Sequence, residues 1–141
     1  MIADRSQTQA AVAALAGAGV PSAEVDARLL WEHAADAAQF AEWISRRAAR
    51  EPLQHLIGIA WFRHLELAVG PGVFIPRPET ELLAQVAIDE LVARGGGVAV
   101  DMCSGSGAVA IAVATEAANS VVHAVELSDA AWPYLRRNAA I

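Results

Sequence analysis

The sequence predicts an α/β protein in which an N-terminal helical bundle precedes a β-hairpin and an incomplete α/β domain. Apolar residues recur at helical spacing through the first fifty residues, and short apolar runs alternate with alanine-rich helical segments from residue 98 onwards. Because strand–helix–strand units build parallel sheets, the last third of the chain is expected to form one. The expected boundaries are 1–57 for the helical domain, 58–75 for the hairpin linker and 76–141 for the first part of the α/β domain.

Three helices are expected in the first part, over 7–18, from Ser22 onwards, and over 37–50. Ser22 is a candidate N-cap for the second of these helices. Pro52 ends the third helix, because proline lacks the amide hydrogen that a helix needs. The buried stripe of the second helix is expected to consist of Val25, Leu29 and Leu30.

The pattern then changes from helical to alternating, which is typical of strands. Two strands of a hairpin are predicted over 59–62 and 65–69, and a helix over 79–94. The final elements are expected to be a strand over 98–101, a helix over 107–117, a strand over 121–126 and a helix over 128–139. Two strands are fewer than a stable doubly wound sheet needs, so this α/β domain is expected to be incomplete.

Composition excludes several classes of function. The formal net charge is −6, and all ten basic residues are arginine, so non-specific nucleic-acid binding is not expected. A single cysteine, Cys103, excludes an internal disulfide and a cysteine-based zinc cluster, and the four histidines show no metal-binding spacing. Residues 1–7 lack the basic flank and apolar core of a secretory signal, so a cytoplasmic protein is expected. No apolar run approaches about 18 residues, so no membrane span is expected.

A glycine-containing loop over 101–107 carries the strongest functional signal. Gly105 and Gly107 would let a ligand approach the backbone, and a helix N-terminus follows them. Asp101 ends the strand before the loop. Glu126 ends the next strand about 20 residues later, where a carboxylate accepts hydrogen bonds from ribose hydroxyls. The sequence therefore predicts a nucleoside-binding site.

The loop also satisfies the dinucleotide fingerprint G-x-G-x-x-G/A through Gly105, Gly107 and Ala110. However, an acid before the loop would repel a pyrophosphate and favours a cationic ligand. S-adenosylmethionine carries an ammonium and a sulfonium. The run from Asp101 to Gly107 is similar to the first motif of class I methyltransferases, with Cys103 where glycine is more usual.

A second motif spans Pro76-Arg77-Pro78-Glu79-Thr80-Glu81, which by itself reads as a helix N-terminus with favourable acids. Glu51 to Gly58, Gly70 to Leu83 and the loop from Asp101 to Gly107 together resemble the HemK/PrmC family of release factor glutamine methyltransferases. The resemblance covers about residues 10–141.

The resemblance implies an N-terminal helical domain that helps hold the release factor, a hairpin linker and a Rossmann-like class I methyltransferase domain. Members transfer a methyl group from S-adenosylmethionine to the side-chain amide of the glutamine in the Gly-Gly-Gln motif of peptide chain release factors. Arg77 and Thr80 would lie beside the active site, Cys103 to Gly107 beside the methionine part of the cofactor, and Glu126 at its ribose. The expected cofactor-binding residues are Asp101, Cys103, Ser104, Gly105, Ser106, Gly107 and Glu126.

The chain departs from the family pattern in two ways. The catalytic Asn-Pro-Pro-Tyr motif does not occur in the 141 residues and is expected beyond Ile141, so the catalytic residues are not assigned and the chain alone is expected to be inactive. The helical region before Glu51 is shorter than the family pattern, with a possible gap near Ala35–Ala38. Three alternatives stay open: an inactive fragment acting as a binding module, a methyltransferase acting on a nucleic-acid base amine, and a nicotinamide-dependent oxidoreductase.

Overall fold

The structure, a computed structural model, describes residues 5–140, with side chains from residue 8 onwards. It divides the chain into two compact units, one ending at Gly58 and the other beginning at Ile59. The division into 1–57, 58–75 and 76–141 stays a prediction.

Two of the sequence-based expectations fall on residues that the structure does not describe. Residues 1–4, on which the argument against a signal sequence partly rests, lie outside the described residues. Ile141, beyond which the catalytic motif is expected and with which the predicted α/β segment ends, lies outside them as well. The expectation that the catalytic residues follow Ile141 therefore stays a prediction.

The first unit consists of helices. They are α1 (Arg5–Gly17), α2 (Ala23–His33), α3 (Ala37–Ala48) and the short α4 (Leu53–Ile57). Helix α1 packs against α2 and α3, and the apolar core includes Leu15, Leu30 and Phe40. Trp31 meets Phe40 edge to face, with ring centroids 5.0 Å apart. The helical character of this region is therefore confirmed.

A buried ion pair sets which face of α2 points inward. Arg47 Nε donates to Asp26 Oδ2 at 2.7 Å, and the Ser22 hydroxyl donates to Asp26 Oδ1 at 2.8 Å. The prediction that Val25 is buried is wrong, because Asp26 takes the inward position and Val25 is half exposed. Ser22 occupies the N-cap position but makes no side-chain capping bond, because its hydroxyl is bonded to Asp26.

The junction before α3 is a capped helix start. The Asp36 carboxylate accepts a hydrogen bond from Gln39 N–H at 2.8 Å, and the Gln39 side chain accepts one from Ala35 N–H at 2.7 Å. These reciprocal bonds satisfy amide groups that the first turn of a helix leaves free. The chain therefore passes from α2 to α3 through a well-formed turn.

The second unit begins with a β-hairpin and continues with a strand–helix–strand unit. Its elements are β1 (Ile59–Phe62), β2 (Leu65–Ala68), α5 (Thr80–Ala93), β3 (Gly97–Met102), α6 (Ala108–Glu116), β4 (Ser120–Val125) and α7 (Trp132–Asn138). Strands β1 and β2 pair antiparallel, with Ile59 opposite Ala68 and Phe62 opposite Leu65. Strands β3 and β4 form a separate two-stranded sheet and pair in parallel, with Gly97 opposite Ser120 and Met102 opposite Val125. The predicted parallel pair is confirmed.

One face of the β3–β4 pair is covered and the other is open. Ala99 and Val122 pack beneath α5 and α6, around Ile88, Leu91 and Val113. The apolar side chains on the opposite face of these two strands are exposed: Val98, Val100, Met102, Val121 and Val125. Within residues 5–140, no helix is long and apolar enough to cross a membrane.

The hairpin turn is tied to the two helices that follow it by Arg63. This residue has a left-handed backbone, with φ of 52°. Its guanidinium donates two hydrogen bonds to Glu116 of α6, at 2.7 and 2.6 Å, and one to the Gln85 side chain of α5 at 2.7 Å. Its amide N–H donates to the Glu81 carboxylate at 2.8 Å. One side chain therefore joins three elements.

We predict that Arg63→Ala lowers the midpoint of urea unfolding at neutral pH, because it leaves Glu116 and Gln85 without their partner. Arg63 also holds the pKa of Glu116 below its ordinary value. The ionised pair therefore stabilises the fold above the ordinary pKa of Glu116, and this contribution is lost as the pH falls through the lower folded-state pKa.

The midpoint of urea unfolding, measured between pH 3 and 7, checks this prediction. We expect Glu116→Gln to approach wild-type stability only at the acidic end of this range. Arg94→Ala is the control, because the Arg94–Glu90 pair is exposed and its loss should cost no more than about 1 kcal/mol. If Arg63→Ala and Arg94→Ala lowered the unfolding midpoint equally, the role of Arg63 in joining the hairpin to α5 and α6 would be contradicted.

Candidate functional site

The loop between β3 and α6 has an unusual backbone. Cys103, Gly105 and Gly107 all have left-handed φ angles, of 62°, 56° and 86°. A residue with a Cβ atom pays roughly 1–2 kcal/mol for this conformation, whereas glycine does not. Cys103 is therefore a strained residue at a position that suits glycine, and its side chain is exposed.

The two glycines of the loop have different surroundings. A Cβ atom on Gly107 would lie 2.7 Å from Leu135 Cδ1 and 3.0 Å from Ile111 Cδ1, so the absence of a side chain there permits packing. A Cβ atom on Gly105 would meet no atom within 4 Å. Gly107 is thus needed by the fold, whereas Gly105 presents backbone to open space.

Ser104 fastens the loop to the ends of both strands. Its amide N–H donates to the Val125 carbonyl at 3.0 Å. Its hydroxyl lies 2.8 Å from the Asp101 carbonyl oxygen and 3.2 Å from that of Val125, and it can donate to either. Ser106 is also buried, and its carbonyl accepts a hydrogen bond from the Asn138 side chain at 2.9 Å.

The Asp101 carboxylate lies at the N-terminus of α6. Its Oδ2 accepts a hydrogen bond from the Ala110 N–H at 3.1 Å. Burial raises the pKa of Asp101, the hydrogen bond from Ala110 opposes that shift, and the nearby charge of Glu126 adds to it. The site therefore holds a carboxylate whose ionised form lacks a cationic partner among the described residues.

Glu126 bridges the loop and the segment that follows β4. Its Oε2 accepts from Gly105 N–H and its Oε1 accepts from Ser128 N–H, each at 2.7 Å. The hydrogen bonds from Ser128 and Gly105 lower the pKa of Glu126, with Ser128 making the larger contribution. Glu126 is therefore ionised at neutral pH and fixed in orientation.

Arg77 and Thr80 lie on the segment that leads into α5. The Arg77 guanidinium is exposed and lies over the Phe74 ring, 5.1 Å from its centroid. Thr80 begins α5, and its N–H donates to the Arg77 carbonyl at 3.0 Å. Contacts between described residues bring Asp101, Ser104, Gly105 and Glu126 together, but none joins Arg77 or Thr80 to them.

The segment just before Arg77 is held against α7. The Tyr134 hydroxyl donates to the Pro71 carbonyl at 3.4 Å. A Cβ atom on Gly72 would lie 2.8 Å from the Ala130 Cβ, so the chain passes close to the start of this helix. Glycine at positions 70 and 72 therefore permits this close packing.

Asn138 is the main residue that the sequence analysis missed. It is 1% exposed and makes three hydrogen bonds, two with the Ala68 backbone and one with Ser106. The available signal is an asparagine inside a predicted helix, where this residue type has a low helix propensity. Such a residue often has a tertiary partner that compensates for the lower propensity.

The chain is similar to known proteins over most of its length. A family model described as the PrmC N-terminal domain matches residues 34–58. A release factor glutamine methyltransferase of Streptomyces coelicolor is 49% identical over 88% of this chain and 50% of the relative. Proteins of the same name from Mycolicibacterium smegmatis and Mycobacterium tuberculosis are 44% and 42% identical over 96% of this chain, and 54% and 51% of those relatives.

The chain spans about half the length of the curated relatives it matches. The Mycobacterium tuberculosis alignment runs over 157 positions, more than the 141 residues of this chain, so that relative carries residues inside the matched region that this chain lacks. The expectation from the three sequence segments that carry the resemblance is confirmed: the chain belongs to the family of release factor glutamine methyltransferases.

Proposed function

We propose that this chain forms the cofactor-binding part of a Rossmann-like methyltransferase. The full activity is transfer of a methyl group from S-adenosylmethionine to the glutamine amide in the Gly-Gly-Gln motif of release factors, which act in the cytoplasm. The names of the relatives support the substrate class. The observation that carries the cofactor assignment is the Asp101 carboxylate at the N-terminus of α6.

That carboxylate discriminates between nucleoside ligands. In dinucleotide-binding folds, the pyrophosphate sits at the N-terminus of the helix after the glycine loop. Here the Ala110 N–H already donates to Asp101, and an anion would meet a negative charge. An ammonium group would instead neutralise Asp101, whose partly buried carboxylate is costly to ionise without a partner.

The remaining residues also fit the cofactor. The open space beside Gly105 admits a ligand to the backbone of the loop. Each oxygen of Glu126 accepts one backbone hydrogen bond and has a further lone pair to accept a ribose hydroxyl. We assign Asp101 to the amino group, the backbone of Cys103 to Gly107 to the methionine part, and Glu126 to the ribose.

The bound cofactor supplies an electrophilic methyl group on its sulfonium. An amide nitrogen is a weak nucleophile, so the protein must position it and oppose its conjugation with the carbonyl. We place Arg77 and Thr80 beside the acceptor. We expect the helical domain, residues 1–57, to help hold the release factor, and residues 58–75 to form the hairpin linker between that domain and the methyltransferase domain. The Asn-Pro-Pro-Tyr motif that would orient the amide does not occur in the 141 residues, so we expect no transfer by these residues alone.

Two experiments test the function. Isothermal titration should show that the chain binds S-adenosylmethionine and does not bind NADH. A chimaera that joins residues 1–141 to the remainder of the Streptomyces coelicolor relative should transfer a radiolabelled methyl group to the glutamine of a Gly-Gly-Gln release factor. Binding of NADH instead would favour the oxidoreductase alternative, and label found in nucleic acid would favour the base methyltransferase.

We predict that Asp101→Ala and Glu126→Ala each weaken S-adenosylmethionine binding at least tenfold, which corresponds to about 1.4 kcal/mol. Asp101→Asn and Glu126→Gln are the near-isosteric variants that remove the charge. Asp101→Asn keeps an acceptor for the Ala110 N–H, whereas Glu126→Gln keeps an acceptor for only one of the N–H groups of Gly105 and Ser128. Titration calorimetry measures all four. Unchanged affinity in both charge-removing variants would overturn the cofactor assignment.

The two carboxylates should have opposite effects on stability. The folded-state pKa of Asp101 is raised. The stability of the protein therefore falls as the pH rises through the ordinary pKa of Asp101 and then through its folded-state pKa. Asp101→Asn should consequently stabilise the protein at neutral pH. The folded-state pKa of Glu126 is lowered, so its contribution is present above its ordinary pKa and is lost as the pH falls through the lower value. Glu126→Gln should therefore destabilise the protein at pH 7, as urea unfolding would show.

The two loop glycines provide a separate prediction. Gly107→Ala should cost about 2–4 kcal/mol, from the left-handed backbone and the clash with Leu135 and Ile111. Gly105→Ala should cost roughly 1–2 kcal/mol, because it adds only the left-handed backbone strain and no clash, yet it should weaken cofactor binding by placing a methyl group in the ligand space. Unfolding and calorimetry on both variants check this. A folded Gly105→Ala variant with wild-type affinity would place the ligand elsewhere.

A further inference from the structure

We propose that Asn138 is the positioning residue of the cofactor loop, and that it fixes the loop from behind without touching the ligand. The inference rests on the proposed function, because it assigns a role toward the same cofactor site. It concerns a residue that neither sequence motif contains.

The side chain of Asn138 is fully engaged. Its Oδ1 accepts from Ala68 N–H at 2.8 Å, and its Nδ2 donates to the Ala68 carbonyl at 3.0 Å and to the Ser106 carbonyl at 2.9 Å. The amide orientation is determined, since the N–H of Ala68 needs an acceptor and both carbonyls need donors. The side chain therefore pairs with the last residue of β2 as a neighbouring strand would, and it extends this pairing to the loop.

The contact fixes the part of the loop that lies between the two glycines. Ser106 is 2% exposed, and Gly107 N–H donates to the Ser104 carbonyl at 2.8 Å. Leu135, three residues before Asn138 on α7, occupies the space where a side chain on Gly107 would lie. Helix α7 thus holds Ser106 by a hydrogen bond and Gly107 by packing, while Glu126 holds Gly105 N–H.

This support matters because the loop contains a strained residue. Cys103 has a left-handed backbone, and a non-glycine residue keeps that conformation only where its surroundings determine it. Without the bond from Asn138, the Ser106 carbonyl would be buried without a partner, which favours a rearranged loop. A shift of the Ser106 peptide would move Gly105 N–H and the open space beside it, and these form the proposed ligand surface.

The test compares Asn138→Asp with Asn119→Asp. Asn138→Asp is isosteric and keeps the acceptor for Ala68 N–H, but the ionised form loses both donors to carbonyls. Asn119→Asp makes the same chemical change at an exposed residue whose left-handed backbone, with φ of 58°, aspartate tolerates. Calorimetry should give at least a tenfold weaker affinity for S-adenosylmethionine in Asn138→Asp and no change in Asn119→Asp.

Two further measurements distinguish the positioning of the loop by Asn138 from a purely structural role of this residue. Leu91→Ala removes a buried side chain that packs around Ile88 and Val113, so it should lower stability without weakening cofactor binding below its unfolding temperature. Amide hydrogen exchange without cofactor should be at least tenfold faster at Gly105 and Gly107 in Asn138→Asp, and unchanged at both in Leu91→Ala. If Asn138→Asp does not fold, Asn138→Ser, which buries no charge, takes its place.

The outcomes separate the two proposals. If the wild-type chain does not bind S-adenosylmethionine, the proposed function fails. If it binds, but folded Asn138→Asp or Asn138→Ser variants bind with wild-type affinity and loop exchange, only this inference is overturned. This inference is also overturned if Leu91→Ala, compared at equal stability, weakens S-adenosylmethionine binding as much as the Asn138 variant does.

Discussion

The second unit depends on one face of α7. Tyr134 and Asn138 are four residues apart, and Leu135 lies between them, so the helical period brings them to the same side. Tyr134 holds the Pro71 carbonyl, Leu135 packs on Gly107, and Asn138 bonds to Ala68 and Ser106. Segments separated by up to 70 residues in sequence are thereby held against the loop between β3 and α6.

The two carboxylates of the site have opposite energetic roles, although both lie at the carboxyl end of a parallel strand, Asp101 within β3 and Glu126 directly after β4. Glu126 is stabilised in its ionised form by backbone N–H groups, so it strengthens the fold at neutral pH. Asp101 is destabilised by burial, so its charge weakens the fold. Perturbed carboxylates of this kind cluster at functional sites, since they are useful to a ligand rather than to the fold. Asp101 is therefore the more informative of the two acids about the chemistry of the ligand.

Local patterns predicted most of the elements but not the long-range contacts that orient them. The boundaries of β3, α6 and β4 lie within about a residue of the expected ones, because apolar runs and glycines mark them directly. Helix α7 begins at Trp132 instead of residue 128, with Pro133 in its first turn, where a missing N–H costs least. The inward position of Asp26 depends on Arg47, 21 residues later, and periodicity within one helix cannot reveal such a partner.

The same distinction applies to the site. Asp101, Ser104, Gly105 and Glu126 could be grouped from sequence, because the carboxyl ends of parallel strands meet at one edge of a sheet and the loop follows directly. Arg63 and Asn138 could not, since their partners lie as far as 53 and 70 residues away. The placement of Arg77 and Thr80 beside the acceptor is still a prediction that rests on family resemblance, as their described contacts are local.

Cys103 shows that the loop is shaped from its ends rather than by its own residues. On one side, Asp101 is bonded to the start of α6, and on the other, Ser104 is bonded to the end of β4. Between these fixed points the chain must turn left-handed, whichever residue stands there. The cysteine accepts a cost of roughly 1–2 kcal/mol for that turn, and its exposed side chain disturbs no packing. The anchors therefore preserve the geometry of the loop even with a cysteine in the left-handed conformation.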